Sequence, residues 1–218
     1  MEIALFSPSS LFAEEDDQTP TREEAVADTQ ETYVERNHQF PGMELIVREF
    51  SFHQLNANLL WPGTFAFAEW LVQNRSCIEG RRAIELGSGT GALAIFLRKV
   101  YNLDITTSDY DDQEIEDNIA HNCRANEIPV IPHIKHTWGD KFPNTDPDWD
   151  LIIASDILLW GGVLPWPAFL MSWRRRIGKE DEQLFFNGCE KAGLDVQHIG
   201  SRVYCIKPIG IDESRTKI

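Results

Sequence analysis

Glu85, Gly87, Gly89, Gly91 and Asp109 are the residues whose types and spacing could do chemistry. The three glycines alternate with Ser88 and Thr90 and make a tight turn whose bare backbone lets a ligand press close. Before the turn, Ala83 to Leu86 reads as a short buried strand. After it, Ala92, Leu93, Ile95, Phe96 and Leu97 thicken into a helical run. Strand, glycine turn and helix make a nucleotide-binding corner, because the first amides of a helix face the ligand. Asp109 lies 24 residues after Glu85, at the end of the next strand. A carboxylate there can accept both hydroxyls of a cis-diol. Gly87, Gly89 and Ala92 also satisfy the G-x-G-x-x-G/A pattern of dinucleotide binders, so the glycines alone leave two ligand classes open.

The elements that must position these residues follow in chain order. Residues 1 to about 38 are acidic and poor in apolar residues after Phe12, the composition of a disordered tail. Met43 to Phe52 has strand character. Trp61-Pro62-Gly63-Thr64 opens a helix over Phe65 to Gln73, with Phe67, Trp70 and Leu71 on one face. Asp104 to Asp109 is the second strand of the main series, and Asp111 with Glu114 is read as a capping box for a helix to Asn126. Ile131 to Trp138, Asp150 to Asp156 and Ala168 to Trp173 follow as third, fourth and fifth strands. A helix from Lys179 to Ala192, ended by Gly193, precedes a hairpin of Asp195–Ile199 and Val203–Ile206. The expected fold is α/β, a Rossmann-like, mostly parallel seven-strand sheet with a C-terminal antiparallel hairpin. The domain spans 39–207, between the tail at 1–38 and a second tail at 208–218.

Glu85-x-Gly87-x-Gly89-x-Gly91 resembles motif I of the class I S-adenosylmethionine-dependent methyltransferases, whose cofactor is a sulfonium with no pyrophosphate. Trp61, the motif, Asp109, Thr137-Trp138-Gly139 and Ala154-Ser155-Asp156 stand in the order of methyltransferase family 16. That group is similar to nicotinamide N-methyltransferase and includes many protein-lysine methyltransferases; plant members resemble the chain most. The resemblance covers about residues 45–206. It implies S-adenosyl-L-methionine as cofactor, contacted by Trp61, Glu85, Gly87, Ser88, Gly89, Gly91, Asp109, Trp138 and Ser155. An indole such as Trp138 at a strand end can stack on adenine. The acceptor site is expected after the fourth strand, where lysine methyltransferases of the family show Asp-x-x-Tyr. Asp156 is kept and assigned the catalytic role of holding the acceptor amine, but Leu159 replaces the tyrosine, with Trp160 one residue on. A location in cytosol or nucleus is implied as well.

Composition narrows the partners. Hydrophobic residues make up 42% and no run approaches a membrane helix in length. The N-terminal stretch lacks a basic region followed by an apolar one, so no secretory leader is expected. Cys77, Cys123, Cys189 and Cys205 are scattered, with neither metal-ligand nor disulfide spacing. His133 and His136 sit three apart on the expected third strand, on opposite faces, so no metal site is assigned. The net charge of −15 opposes phosphate backbones and argues against nucleic acid as substrate; it would suit a basic protein partner, though solubility accounts for it as well.

One irregularity stands out. Trp160 to Ala168 holds two glycines and two prolines, which cannot form a useful helix, although a parallel crossover usually carries one. The helix between the fourth and fifth strands is therefore expected to be missing, with apolar sheet surface bare beside it. Three readings remain: an S-adenosylmethionine-dependent N-methyltransferase acting on protein lysine, a methyltransferase-like binding module or splice form without turnover, and an NAD-type dinucleotide enzyme.

Overall fold

The computed structural model describes residues 33–50, 53, 57–143, 149–157, 168–172, 179–200 and 202–209. Its centre is a seven-stranded sheet in the order β5-β4-β3-β6-β7-β9-β8. β3 (Arg82–Leu86), β4 (Asp104–Asp109), β5 (His133–Lys135), β6 (Leu151–Ser155) and β7 (Ala168–Ser172) run parallel. β8 (Leu194–Gly200) and β9 (Val203–Pro208) form the closing hairpin, and β9 lies antiparallel to β7. The expected α/β architecture is therefore present.

Alternation along the strands divides the core between the two faces of the sheet. Ala83, Ile105, Leu151, Ile153, Leu170, Val203 and Cys205 join the larger apolar cluster, with Phe67, Leu71, Leu93 and Phe96 from α1 (Pro62–Gln73) and α2 (Ala92–Tyr101). Ile115, Ile119 and Cys123 of α3 (Gln113–Ala125) complete that side. On the other face Ile84, Leu86, Ile152, Phe169 and Met171 pack with Phe185 and Cys189 of α4 (Lys179–Lys191).

Four expectations need correction. The acidic stretch read as tail already contains strand at its end, because β1 (Tyr33–Phe40) pairs along its whole length with β2 (Met43–Phe50). β1 faces solvent over much of its length, so its sequence carries no apolar alternation. At the other end β9 reaches Pro208, so the tail assigned to 208–218 begins one residue too early. α3 is capped by Asp112, whose carboxylate accepts from Glu114 N at 2.9 Å, and not by Asp111. Asp112 has the extended backbone (φ −137°, ψ 127°) that brings a side chain back over the first turn. The sheet beside the shortened crossover is not bare: Ile152 and Phe169 are 8% and 7% exposed, under cover that includes Phe185 and Ile157. No helix stands between β6 and β7 among the described residues; residues 158–167, with Leu159 and Trp160, lie outside them.

β1–β2 is held edge-on by α3 rather than by another strand. Asn118, Asn122 and Asn126 recur every four residues and so share one helix face. Asn126 accepts from Ile46 N (3.1 Å) and donates to Ile46 O (2.6 Å). Asn122 accepts from Arg48 N (2.8 Å), and Asn118 donates to Arg48 O (3.0 Å) while accepting from Arg48 Nε (2.7 Å). Side-chain amides thus satisfy a backbone edge that a buried strand could not leave unpaired.

Candidate functional site

The corner begins where β3 ends between its two parallel neighbours, β4 and β6. Gly87, Gly89 and Gly91 all have positive φ (63°, 51° and 76°), so the chain turns sharply before α2. At Gly87 the requirement is also one of space. A Cβ there would sit 2.7 Å from Ile157 Cγ2 and 3.8 Å from Trp138 Cζ2. Ala57 of the segment before α1 lies over the next glycine, its carbonyl 3.6 Å from a Cβ built at Gly89.

Ser88 stitches the turn to β4. Its hydroxyl lies 3.0 Å from Glu85 O and 3.2 Å from Ser108 O, and it accepts from Ser108 N at 3.1 Å. That side chain therefore serves the loop, and its role toward a ligand passes to the neighbouring backbone. Thr90 O is fixed from behind by Asn122 Nδ2 at 2.9 Å.

Glu85 is 1% exposed. Burial pushes its carboxyl up to about 8, a backbone hydrogen bond from Ala94 offsets part of this, and the Asp109 charge adds to the rise. Its Oε2 has no hydrogen-bond partner among the described residues. A buried carboxylate oxygen left over is costly, and a cationic group would relieve that cost.

Asp109 is tied to the turn across the strand gap. Oδ2 accepts from Gly89 N and Oδ1 from Tyr110 N, each at 2.7 Å. Burial raises its pKa, while those two amides and then His53 oppose the rise. The aimed carboxylate keeps lone pairs for a diol. His53 was not singled out from sequence; its ring lies 3.5 Å from Asp112 and takes Ala57 N on Nδ1 at 3.4 Å. Trp138 is 36% exposed beside the turn, which leaves an indole face for stacking and excludes a core role.

Trp61 stands at the N-cap of α1, half-buried. Ser155 Oγ meets Thr64 Oγ1 at 3.0 Å, and Asp156 is 7% exposed with its carboxylate on Gly63 N at 2.5 Å. The structure thus gathers Glu85, Gly87, Gly89, Asp109 and Trp138 at one corner. Asp156 is linked to that corner through its neighbour Ile157. His133 bonds Thr107 Oγ1 (3.0 Å) while His136 packs on Phe142, and no metal-holding group occurs among the described residues.

The buried Glu85 with its leftover oxygen and the Asp109 carboxylate flank the turn, an arrangement that suits a cationic amino acid joined to a nucleoside. S-adenosylmethionine has that chemistry: an ammonium for Glu85, a cis-diol for Asp109 and an adenine for Trp138.

Comparison with known proteins bears on the fold and the family. The T. thermophilus 16S rRNA N2 G1207 methyltransferase, solved with AdoMet and guanosine, superposes over 85% of this chain and 53% of its own, with a TM-score of 0.59 and 16% identity. That likeness speaks to the fold. The chain is 26% identical over 134 residues to EEF1A lysine methyltransferase 3 of Xenopus tropicalis (59% of this chain, 58% of that protein). It is 31% identical over 101 residues to the electron transfer flavoprotein beta subunit lysine methyltransferase of Danio rerio (45% and 37%). The chain therefore spans less than two thirds of the length of either relative. The family model described as lysine methyltransferase matches residues 39–166, more than half of the sequence and all of the corner from Glu85 to Asp109, so the chain belongs to the lysine methyltransferase family.

Proposed function

We propose that this protein is an S-adenosylmethionine-dependent N-methyltransferase acting on a lysine side chain of a protein. The observation that carries the reading is the buried Glu85 carboxylate with its leftover oxygen, beside a glycine turn whose Gly89 amide holds Asp109. The lysine methyltransferase relatives support the acceptor class.

In this reading Glu85 takes the ammonium, Asp109 the ribose hydroxyls and Trp138 the adenine face. The backbone of Gly87 to Gly91 lies along the amino-acid portion, with Trp61 and Ser155 at the rim. The cofactor supplies a methyl group on a positively charged sulfur, a direct displacement that asks for alignment more than for acid–base work. Ile157, packed against Gly87, keeps water from the reacting side. A lysine amine must be neutral to react, and an apolar neighbourhood disfavours its charged form.

The net charge of −15 supports a basic protein segment as partner and argues against nucleic acid. No described helix is long and apolar enough to cross a membrane. We extend the proposal to a cytosolic or nuclear setting, supported by four free, buried cysteines.

Calorimetric titration with S-adenosylhomocysteine and, separately, NAD tests the cofactor. Radiolabelled methyl transfer into basic lysate proteins tests the activity. The reading expects binding of the first ligand only, and label on lysine. Binding of NAD alone would replace it.

A further inference from the structure

We propose that Asp156 is a positioning residue, not the group that takes the acceptor's proton: its carboxylate locks the first turn of α1 onto the carboxyl ends of β6 and β7, and so places Ile157 against the Gly87 turn. The idea deepens the functional reading above and rests on it for its activity readout.

α1 opens without a cap of its own. Trp61 gives no side-chain cap hydrogen bond, Pro62 fills the first turn, and no acid stands in that turn. The early amides of a helix have no intrahelical partner and carry partial positive charge. Asp156, 93 residues away, supplies the missing acceptor through Oδ2, at 2.5 Å from Gly63 N. Ser172 Oγ donates to Gly63 O at 3.2 Å, and Ser155 Oγ meets Thr64 Oγ1 at 3.0 Å. The Gly63–Thr64 unit is thus held on both its amide and its carbonyl by the ends of two neighbouring strands.

The fit is specific. A Cβ built at Gly63 would overlap the carboxyl carbon and both oxygens of Asp156, so only glycine admits the group. Asp156 itself holds φ at 54°, an unusual backbone for a non-glycine residue, with its N–H on Ser172 O at 2.9 Å. Such strain persists where the surroundings over-determine it, and it marks functional places. Here the strained turn directs the next side chain, Ile157, into the space that Gly87 leaves open. One oxygen of the Asp156 carboxylate is already engaged by the Gly63 amide.

The test is a set of four variants, read by S-adenosylhomocysteine affinity, thermal unfolding and the rate of label transfer into lysate. Asp156→Asn keeps an oxygen for Gly63 N–H and loses only charge at a helix end, so affinity and rate should each fall by no more than about 5-fold. Asp156→Ala and Gly63→Ala should each weaken affinity by roughly 10-fold or more, as loss of a bond to a charged group does. Gly63→Ala combined with Asp156→Ala should cost little beyond either alone, since the two changes break one contact. An Asp156→Asn protein that binds S-adenosylhomocysteine normally but loses roughly 100-fold or more in rate, the size of a general-base effect, would overturn the proposal. Additive losses in the double variant would overturn it equally. Failure of the wild type to bind S-adenosylhomocysteine would count against the functional reading instead. The unfolding cycle, which needs no ligand, then decides on the lock alone.

Discussion

Glu85 is an acid whose folded pKa, about 8, stands well above that of the unfolded chain, chiefly because it is buried. The folded state therefore holds the proton more tightly. This stability is fully present below the unfolded value near 4.5 and is lost as pH rises through 8. Glu85→Gln should flatten that decline, so the variant loses less midpoint temperature than the wild type between pH 5 and pH 8; parallel declines would show that Glu85 ionises freely. If an ammonium meets this carboxylate, S-adenosylhomocysteine binding at pH 7 also releases a proton, visible as a buffer-dependent heat that Glu85→Gln removes. Asp109→Ala should weaken the same ligand by about 2–4 kcal/mol, since two charge-assisted bonds go together. Unchanged affinity in the folded variant would take Asp109 out of the site. Glu85, the glycines and Asp109 were legible because one strand and one turn fix their spacing. Two other side-chain directions were not. Ser88 is turned inward by Ser108, and the Asp156 carboxylate is drawn to Gly63, 93 residues away in sequence.

Among the elements, α3 reaches both the β1–β2 pair and the cofactor turn. Asn122 sits at the meeting point, accepting from Arg48 N and donating to Thr90 O, and it is fully buried. Asn122→Ala leaves buried backbone groups without partners, so unfolding free energy should fall by roughly 2–4 kcal/mol. Cofactor affinity should fall with it, because Thr90 belongs to the glycine turn. Asn37→Ala, on the exposed side of β1, removes only a 3.3 Å bond to Glu44 and should stay within about 0.5 kcal/mol of wild type. Equal losses in urea titrations of the two variants would remove α3 from its bridging role. The helix itself is readable from its apolar positions, whereas the spacing of Asn118, Asn122 and Asn126 gains its meaning only from the β2 edge they meet. Asparagine is a poor helix former, and three on one face signal a backbone edge to be satisfied. β1 escaped notice because its strand pairs with a single neighbour and shows both faces largely to water.

At the scale of the whole molecule, the two faces of the sheet are covered unequally. One carries α1, α2, α3 and the β1–β2 pair; the other, among the described residues, carries α4 and the aromatic pair Phe142 and Trp149. Reading the short stretch between β6 and β7 led to the expectation of bare apolar surface there. Cover over a sheet face need not come from the segment nearest in sequence. Phe185, distant in sequence, packs in one cluster with Ile152, Phe169 and Ile206, and the sheet beneath stays closed to water. Phe185 then carries a share of the fold that a second helix would otherwise take. Phe185→Ala should destabilise the protein by roughly 3–5 kcal/mol, the usual cost of emptying a large aromatic site. The same change should raise binding of a dye specific for exposed apolar surface. Leu184, one residue earlier but 66% exposed, is the matched control, and Leu184→Ala should change stability by no more than about 0.5 kcal/mol. The cofactor corner meets this cluster at Ile157, so S-adenosylhomocysteine affinity in folded Phe185→Ala should also fall, by about 2-fold or more, as for sites that share a packing partner. Equal stability of the Phe185 and Leu184 variants would mean that something other than α4 shields Ile152 and Phe169.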